Sequence, residues 1–153
     1  MDITVEKTID VLNDLILINS DRSTIYEKAM KQIISDDPEL SQFFKTMAAD
    51  SRTYLYELAG HLDPSGQEFI KMIPPTSGRI YQAWSNEKKI FNNKDRMALL
   101  DFCKTMEKAI GKAYDEAMRE EVTEDVKQVI EEQKNALQRS YGRIRKLQQV
   151  QHV

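Results

Sequence analysis

Apolar residues recur every three or four positions along the first part of the chain, which is the spacing of one helix face. These positions are Val5, Ile9, Leu12, Ile16, Tyr26, Met30 and Ile33. Two further positions of the same stripe, Asn19 and Ser23, are polar. The pattern therefore predicts a helix over residues 4–35 that keeps an amide and a hydroxyl in the middle of its buried face.

Later segments repeat this helical spacing. The further predicted helices cover residues 38–62, 77–91, 95–120 and 123–149. Asp37 before Pro38 is typical of a helix start, because aspartate caps the first turn and proline is tolerated at the first helical position. Asp95 is placed to cap the fourth helix in the same way. Residues 63–76 form the longest connection, and the sequence leaves open whether it is ordered or a mobile lid.

The number and length of these helices indicate the fold class. Helices of comparable length joined by short turns are typical of an antiparallel bundle, and one long central crossover is typical of ferritin-like folds. Only five glycines and four prolines are present, which disfavours a strand-rich fold. We expect a single all-α domain over residues 1–153, with four bundle helices and a long fifth helix that either packs along the bundle or mediates self-association.

Polar residues interrupt the apolar stripes of two other helices at mid-helix. Ser51 lies on the stripe of the second helix, and Glu107 lies on that of the fourth. Buried polar groups are as a rule hydrogen-bonded, so we expect Asn19, Ser51 or a tyrosine hydroxyl to bond Glu107 and fix the helix register. The alternatives are a polar pocket that binds a ligand or a weak metal, and a different helix phase in which Glu107 is solvated.

Aromatic side chains provide a second set of candidates. Tyr26, Trp84 and Tyr114 lie at helical spacing and are either core residues or the lining of a ligand pocket. Cys103, one turn before Glu107, is expected to be a small buried residue. Two histidines and one cysteine cannot form a zinc site of the usual composition. We therefore assign neither a metal ligand nor a catalytic residue from the residue pattern.

Charge and hydropathy exclude several partners. The formal net charge of −3 gives no electrostatic case for nucleic acid or an anionic membrane. The longest apolar run, residues 15–18, is far too short for a membrane span. The first residues lack the basic and apolar blocks of a secretory signal, and a lone cysteine fits a reducing compartment. We expect a cytoplasmic protein.

Several motifs together carry a family resemblance. They are Leu12-Asn13-Asp14-Leu15 with Asn19, Asp21, Arg22 and Tyr26-Glu27-Lys28-Ala29; Ala49-Asp50-Ser51-Arg52 with Glu57-Leu58; Ser77-Gly78 with Ala83-Trp84; Cys103 with Glu107 and Ala113-Tyr114; and Gln133 with Ile144-Arg145 in the fifth helix. Over nearly the whole chain, this set resembles a bacterial family of uncharacterised ferritin-like proteins, the domain of unknown function 2383 family. The resemblance implies a ferritin-like fold and no assigned activity.

The wider ferritin-like group implies a test of metal chemistry. Its di-iron members place a Glu on each of two helices and a Glu-x-x-His on each of the other two. The resemblance puts these ligand positions at Asn19, at Ser51 and Tyr54, and at Glu107 and Ile110. Only Glu107 matches, and Asn or Ser oxygens hold a transition metal poorly. The resemblance therefore implies a lost di-iron site, with Asn19, Ser51, Tyr54 and Glu107 as candidate binding residues of a core polar layer.

These observations favour a non-enzymatic binding or structural protein, and they leave the question of enzymatic activity open. We expect no cofactor, with iron as the alternative. One alternative is a divergent metal-dependent oxidase that uses Glu107. Another is a small-molecule binder whose bundle pocket is lined by Tyr26, Trp84 and Tyr114. Among partners we expect neither nucleic acid nor membrane, and a homo-oligomer formed through the fifth helix is possible. The identity of any protein partner or small ligand stays open.

Overall fold

The computed structural model describes residues 3–33, 36–62, 78–87 and 95–149. Within these ranges the regular structure is entirely helical, so the expected all-α class is confirmed. The helices are α1 (Ile3–Ile33), α2 (Pro38–Gly60), α3 (Arg79–Glu87), α4 (Arg96–Arg119) and α5 (Glu124–Gln149). None of the helices in the described ranges is long and apolar enough to cross a membrane.

Two helices begin at the expected caps. The Asp37 carboxylate accepts a hydrogen bond from the Leu40 N–H at 3.1 Å, and Pro38 occupies the first turn of α2. The Asp95 carboxylate accepts one from the Ala98 N–H at 3.0 Å at the start of α4. These bonds satisfy N–H groups that have no partner inside the first turn. Both N-caps are therefore confirmed.

The observed helix ends differ from the expected ends by two residues at most where the structure describes them. The largest differences are the end of α2 at Gly60 instead of residue 62 and the start of α3 at Arg79 instead of residue 77. The expected ends of the first and third helices, at residues 35 and 91, lie outside the described residues. The long connection at residues 63–76 lies outside them as well.

Contacts between side chains define the directions of α1, α2 and α4. In an antiparallel pair, a later residue of one helix meets an earlier residue of the other. The contacts are Arg22 with Ser51 and Tyr26 with Phe44 between α1 and α2, and Asn19 with Tyr114 and Tyr26 with Glu107 between α1 and α4. Helix α1 is therefore antiparallel to both neighbours.

Helix α5 closes the other side of the core. Gln148 contacts Asp101 and Lys134 contacts Asp115, so α5 runs antiparallel to α4. Arg143 of α5 lies over the Phe43 ring of α2. The helices α1, α2, α5 and α4 thus follow one another around the core, each antiparallel to the next.

Helix α3 lies outside this ring, against α1 and α4. Its described part has nine residues and buries Ile80 and Trp84, whereas the 26 residues of α5 bury six. The grouping differs from the expected set of helices one to four, because α5 rather than α3 completes the ring of long helices in the described part of the chain. Of the two expected roles of the fifth helix, packing along the bundle is the one observed.

The core follows the predicted stripes closely. Asn19 and Ser51 are fully buried and Glu107 is 5% exposed, so the alternative helix phase with a solvated Glu107 is wrong. Val5, in the first turn of α1, is 38% exposed, so the buried stripe begins further along the helix. The helices therefore bring several polar side chains into an otherwise apolar core.

Candidate functional site

An ion pair between Arg22 of α1 and Glu107 of α4 lies in the centre of the core. Arg22 donates from Nε to Glu107 Oε2 and from Nη2 to Glu107 Oε1, both at 2.9 Å. The two side chains are 0% and 1% exposed. Two parallel N–H···O bonds are the strongest form of arginine–carboxylate contact. This pair therefore joins α1 to α4 through two buried side chains.

The remaining donors of Arg22 are used by α2. Nη1 donates to Ser51 Oγ at 2.7 Å, and Ser51 in turn donates to the Met47 carbonyl oxygen at 2.8 Å. The guanidinium carbon lies 5.2 Å from the Tyr26 ring centroid and 6.0 Å from that of Tyr54, within the range of cation–π attraction. Arg22 thus contacts three helices and carries its charge without exposure to solvent.

The electrostatics of the pair act on its neighbours. Burial alone would lower the pKa of Arg22. The Glu107 carboxylate raises this pKa by more than burial lowers it, so the net shift is upward and the guanidinium stays charged. Tyr26 donates its hydroxyl to Glu107 Oε2 at 3.1 Å. Burial, and then Glu107, raise the pKa of Tyr26 well above its usual value. The same two causes raise the pKa of the Cys103 thiol, which is 1% exposed, as expected for a small buried residue.

A second buried group of polar residues joins α1, α4 and α5. Asn19 donates from Nδ2 to the Tyr114 hydroxyl at 2.9 Å and to the Leu15 carbonyl at 2.8 Å. The Tyr114 hydroxyl donates to Gln133 Oε1 at 2.7 Å. Burial raises the pKa of Tyr114, so its hydroxyl keeps its proton and remains a donor. The Tyr114 hydroxyl therefore accepts a hydrogen bond from Asn19 of α1 and donates one to Gln133 of α5.

The amide of Gln133 fixes the orientation of that group. Its Nε2 donates to the Tyr54 carbonyl oxygen at 3.1 Å and to Glu57 Oε1 at 3.2 Å, so Oε1 must face Tyr114. Tyr54 therefore joins the network through its backbone, while its ring lies near Arg22. The Asn19 Oδ1 atom has no hydrogen-bond partner among the described residues.

The expected pattern of bonds around Glu107 needs correction. Of the partners expected for it, only a tyrosine hydroxyl, that of Tyr26, bonds Glu107. Ser51 contacts Arg22 instead, and Asn19 contacts Tyr114. The reason is that Arg22 supplies two charge-assisted donors to the carboxylate, which a neutral amide or hydroxyl does not match.

Sequence reasoning missed Arg22 as a core residue, because arginine is rarely buried without a partner and the partner lies 85 residues away. A usable signal was present, since Arg22 follows Asn19 by three positions and precedes Tyr26 by four, on the same stripe.

The candidate pocket aromatics occupy different surroundings. Tyr26 and Tyr114 are fully buried, with their hydroxyls in the two groups described above. Trp84 is 2% exposed and donates from Nε1 to Asp21 Oδ2 at 3.0 Å, which ties α3 to α1. Trp84 therefore takes part in the docking of α3, away from the bonds made by the two tyrosines.

Two aspartates of α1 hold α3 in place. Asp14 accepts the Gly78 N–H at 2.8 Å and the Tyr81 N–H at 3.2 Å, at the start of α3. Asp21, seven positions later on the same helix face, accepts the Tyr81 hydroxyl at 2.6 Å and the Trp84 indole N–H. Burial raises the pKa of Asp14, although the backbone bonds from Gly78 and Tyr81 act in the opposite direction.

Glu57 and His61, which are spaced as a possible metal pair, each contact α5. Glu57 accepts from Gln133, and His61 Nδ1 lies 3.4 Å from Asp125 Oδ2. In the described part of the chain, no three His, Cys, Asp or Glu side chains come close enough together to hold a metal ion. These two residues therefore connect α2 to α5.

Comparison with protein families gives a match over most of the chain. The model of a family described as Domain of unknown function (DUF2383) matches residues 7–120 of the 153. The matched range includes Arg22, Ser51 and Glu107 and ends before α5, so the expected similarity of the fifth helix lies outside it. No curated protein and no solved structure matches the chain.

Proposed function

The chain belongs to the family described as Domain of unknown function (DUF2383), and on that premise we propose that it is a non-enzymatic binding or structural protein of the ferritin-like type. In this proposal the polar layer of the core holds the helices in register. Its central cation is the Arg22 guanidinium rather than a pair of iron ions.

The observation that carries the proposal is the position of Arg22. Its guanidinium is bonded to Ser51 and to both carboxylate oxygens of Glu107, which are two of the positions where the ferritin-like resemblance places metal ligands. A third such position, Asn19, is bonded to Tyr114. The oxygen atoms of Glu107 and Ser51 that a metal would need therefore already accept hydrogen bonds from Arg22.

The residues present do not fit a di-iron centre. Glu107 is the only carboxylate among the mapped positions, and Ile110 stands where a histidine is needed. A metal ion at Glu107 would also lie next to a fully buried positive charge, which repels it strongly where the effective dielectric constant is low. We therefore derive no metal-dependent step for this protein.

Direct measurement of bound metal tests the proposal. The purified full chain is incubated anaerobically with ferrous iron, desalted and analysed for iron per chain by mass spectrometry, and oxygen consumption is followed on exposure to air. Glu107→Ala removes the one matching carboxylate. Glu131→Ala, an exposed acidic residue of α5, is the matched control.

We expect no stoichiometric iron and no iron-dependent oxygen consumption in the wild-type protein. Stoichiometric iron that is retained in E131A and lost in E107A would overturn the proposal in favour of the oxidase alternative. The wild-type result decides the question even if E107A fails to fold, because the variants serve only to locate the metal.

A further inference from the structure

A groove of about 260 Å³ lies between α4 and α5. Residues lining it include Glu107, Lys108 and Gly111 from α4, and Lys134, Leu137 and Tyr141 from α5. We propose that this groove binds a small organic monoanion with an apolar body, such as an aromatic monocarboxylate. The inference goes beyond the proposed function and does not depend on the iron question, because Lys108, Leu137 and Tyr141, which would contact the ligand, are not among the mapped metal-ligand positions, although Glu107 borders the groove.

Open space at Gly111 is the first argument. Apart from its chain neighbours and the nearby backbone of its own helix, a Cβ atom at this position would meet no atom within 4 Å, although Gly111 lies in the interior of α4. Glycine inside a helix is less favourable than alanine, because it loses more backbone entropy. The missing side chain leaves space on the α4 side of the groove, which Leu137 of α5 also lines.

The apolar surface of the groove comes from two α5 residues. Leu137 is 5% exposed, and its side chain forms part of the groove wall. Ser140 is buried on the core face of α5, whereas the neighbouring Tyr141 is half-buried and lines the groove. An aromatic ring and a leucine on one wall suit an aromatic or branched aliphatic body.

The charged residues that line the groove favour a ligand with a negative charge. The Glu107 carboxylate is neutralised by Arg22, and Lys134 Nζ lies 2.7 Å from Asp115 Oδ1. Lys108 is exposed and forms no ion pair with any residue in the described ranges. One positive charge therefore remains, and it favours a single anionic group over a neutral or cationic one.

The volume limits the size of the ligand. A cavity of about 150 Å³ holds one benzene molecule, so this groove has room for roughly ten non-hydrogen atoms. Phenylacetate has that size, carries one negative charge and contains an aromatic ring. It is therefore the probe, with phenylacetamide as the uncharged match and acetate as the match without an apolar body.

The test is a two-dimensional NMR titration of the ¹⁵N-labelled full chain with the three probes. We expect phenylacetate to produce saturable shifts centred on residues of α4 and α5 around Gly111 and Leu137. Phenylacetamide should bind about threefold more weakly, since an exposed ion pair contributes up to about fivefold in affinity. Acetate should also bind at least about threefold more weakly, because it lacks the apolar body that would contact Leu137 and Tyr141. Lys108→Gln should weaken phenylacetate by the same factor, whereas Lys104→Gln, one turn earlier on α4, should not.

Filling the groove gives the decisive variant. Gly111→Leu places a side chain in the open space and should abolish the shifts caused by phenylacetate. Gly142→Leu adds the same atoms at another open glycine outside the groove and should keep those shifts.

Three results would overturn the proposal: absence of saturable shifts in the wild type, equal binding of all three probes, or binding retained in G111L. Concentration-dependent shifts of the same residues without any probe would overturn it too, because a second copy of the chain would then occupy the groove. The iron measurement above is made without these probes, so either proposal can fail while the other holds.

Discussion

Arg22 and Glu107 are separated by 85 positions in the sequence and form a fully buried ion pair with two N–H···O bonds of 2.9 Å. A buried pair of this kind stabilises little relative to apolar residues of the same volume, but removal of one partner leaves an uncompensated charge in the core. The pair also discriminates between helix registers, because a shift of α1 along α4 would separate the two charges. We therefore regard it as the feature that specifies how α1 and α4 meet.

The second buried group gives a prediction on a single hydroxyl. Tyr114→Phe removes one hydroxyl and leaves an Asn19 donor and the Gln133 acceptor without this partner. We expect a loss of about 1–3 kcal/mol in the free energy of unfolding, measured by urea denaturation. Tyr56→Phe is the matched control, since Tyr56 is 57% exposed, and it should change stability by less than about 0.5 kcal/mol. Equal effects of the two variants would show that the Asn19–Tyr114–Gln133 bonds are not stabilising.

Close packing at the start of α3 gives the next prediction. A Cβ at Gly78 would lie 2.8 Å from Asp14 Oδ2, and moving that carboxylate breaks its bonds to the α3 backbone. Gly78→Ala should therefore reduce the free energy of unfolding by about 1 kcal/mol or more. Gly142→Ala, in open space within α5, should instead raise it by up to about 1 kcal/mol. Stabilisation by both substitutions would contradict the packing of Asp14 against Gly78.

The titration of Asp14 predicts a pH dependence. Burial raises its pKa above the usual 3.8, so the folded state holds this proton more tightly than the unfolded state. The stabilising contribution of the group is complete below pH 3.8 and is lost as the pH rises through the raised pKa. The wild type should therefore lose stability relative to Asp14→Asn as the pH rises above 3.8, because the variant does not titrate. Urea denaturation across this range measures the difference, and a relative gain of the wild type with rising pH would contradict the shift.

The sequence predicts which face of each helix is buried, because a 3.6-residue period decides which residues share a face. That period correctly predicts that Asn19, Ser51 and Glu107 are buried. It does not predict which of them touch, since contacts between helices depend on their relative height and rotation. For this reason the pattern includes a tyrosine hydroxyl among the partners of Glu107, which is confirmed by Tyr26, but does not identify Arg22 as the main partner.

The role of α5 shows the same limit. Its buried residues include Val126, Ile130, Gln133, Leu137 and Ile144, which recur at the spacing of one helix face. A stripe shows that one face of a helix is covered, but it does not show which neighbour covers it. Packing along the bundle and self-association are therefore both compatible with the pattern.

The docking of α3 through Asp14 is not predicted from the sequence either, because a carboxylate that caps a helix 64 positions away has no local sequence signal.

The central claim is that Arg22 and Glu107 depend on each other, and a double-mutant cycle tests it directly. Arg22→Met keeps an apolar side chain in place of the arginine stem, and Glu107→Gln keeps an acceptor for the Tyr26 hydroxyl. Each single variant leaves one buried charge unpaired, while R22M/E107Q leaves none. The free energy of unfolding of the four proteins is measured by urea denaturation under identical conditions.

We predict that each single variant loses about 3–5 kcal/mol and that the double variant is more stable than either. A single variant too unstable to fold sets a lower limit on the coupling, provided that the double variant folds. Additive losses, with the double variant the least stable of the four, would contradict the ion pair as the organising contact of the core.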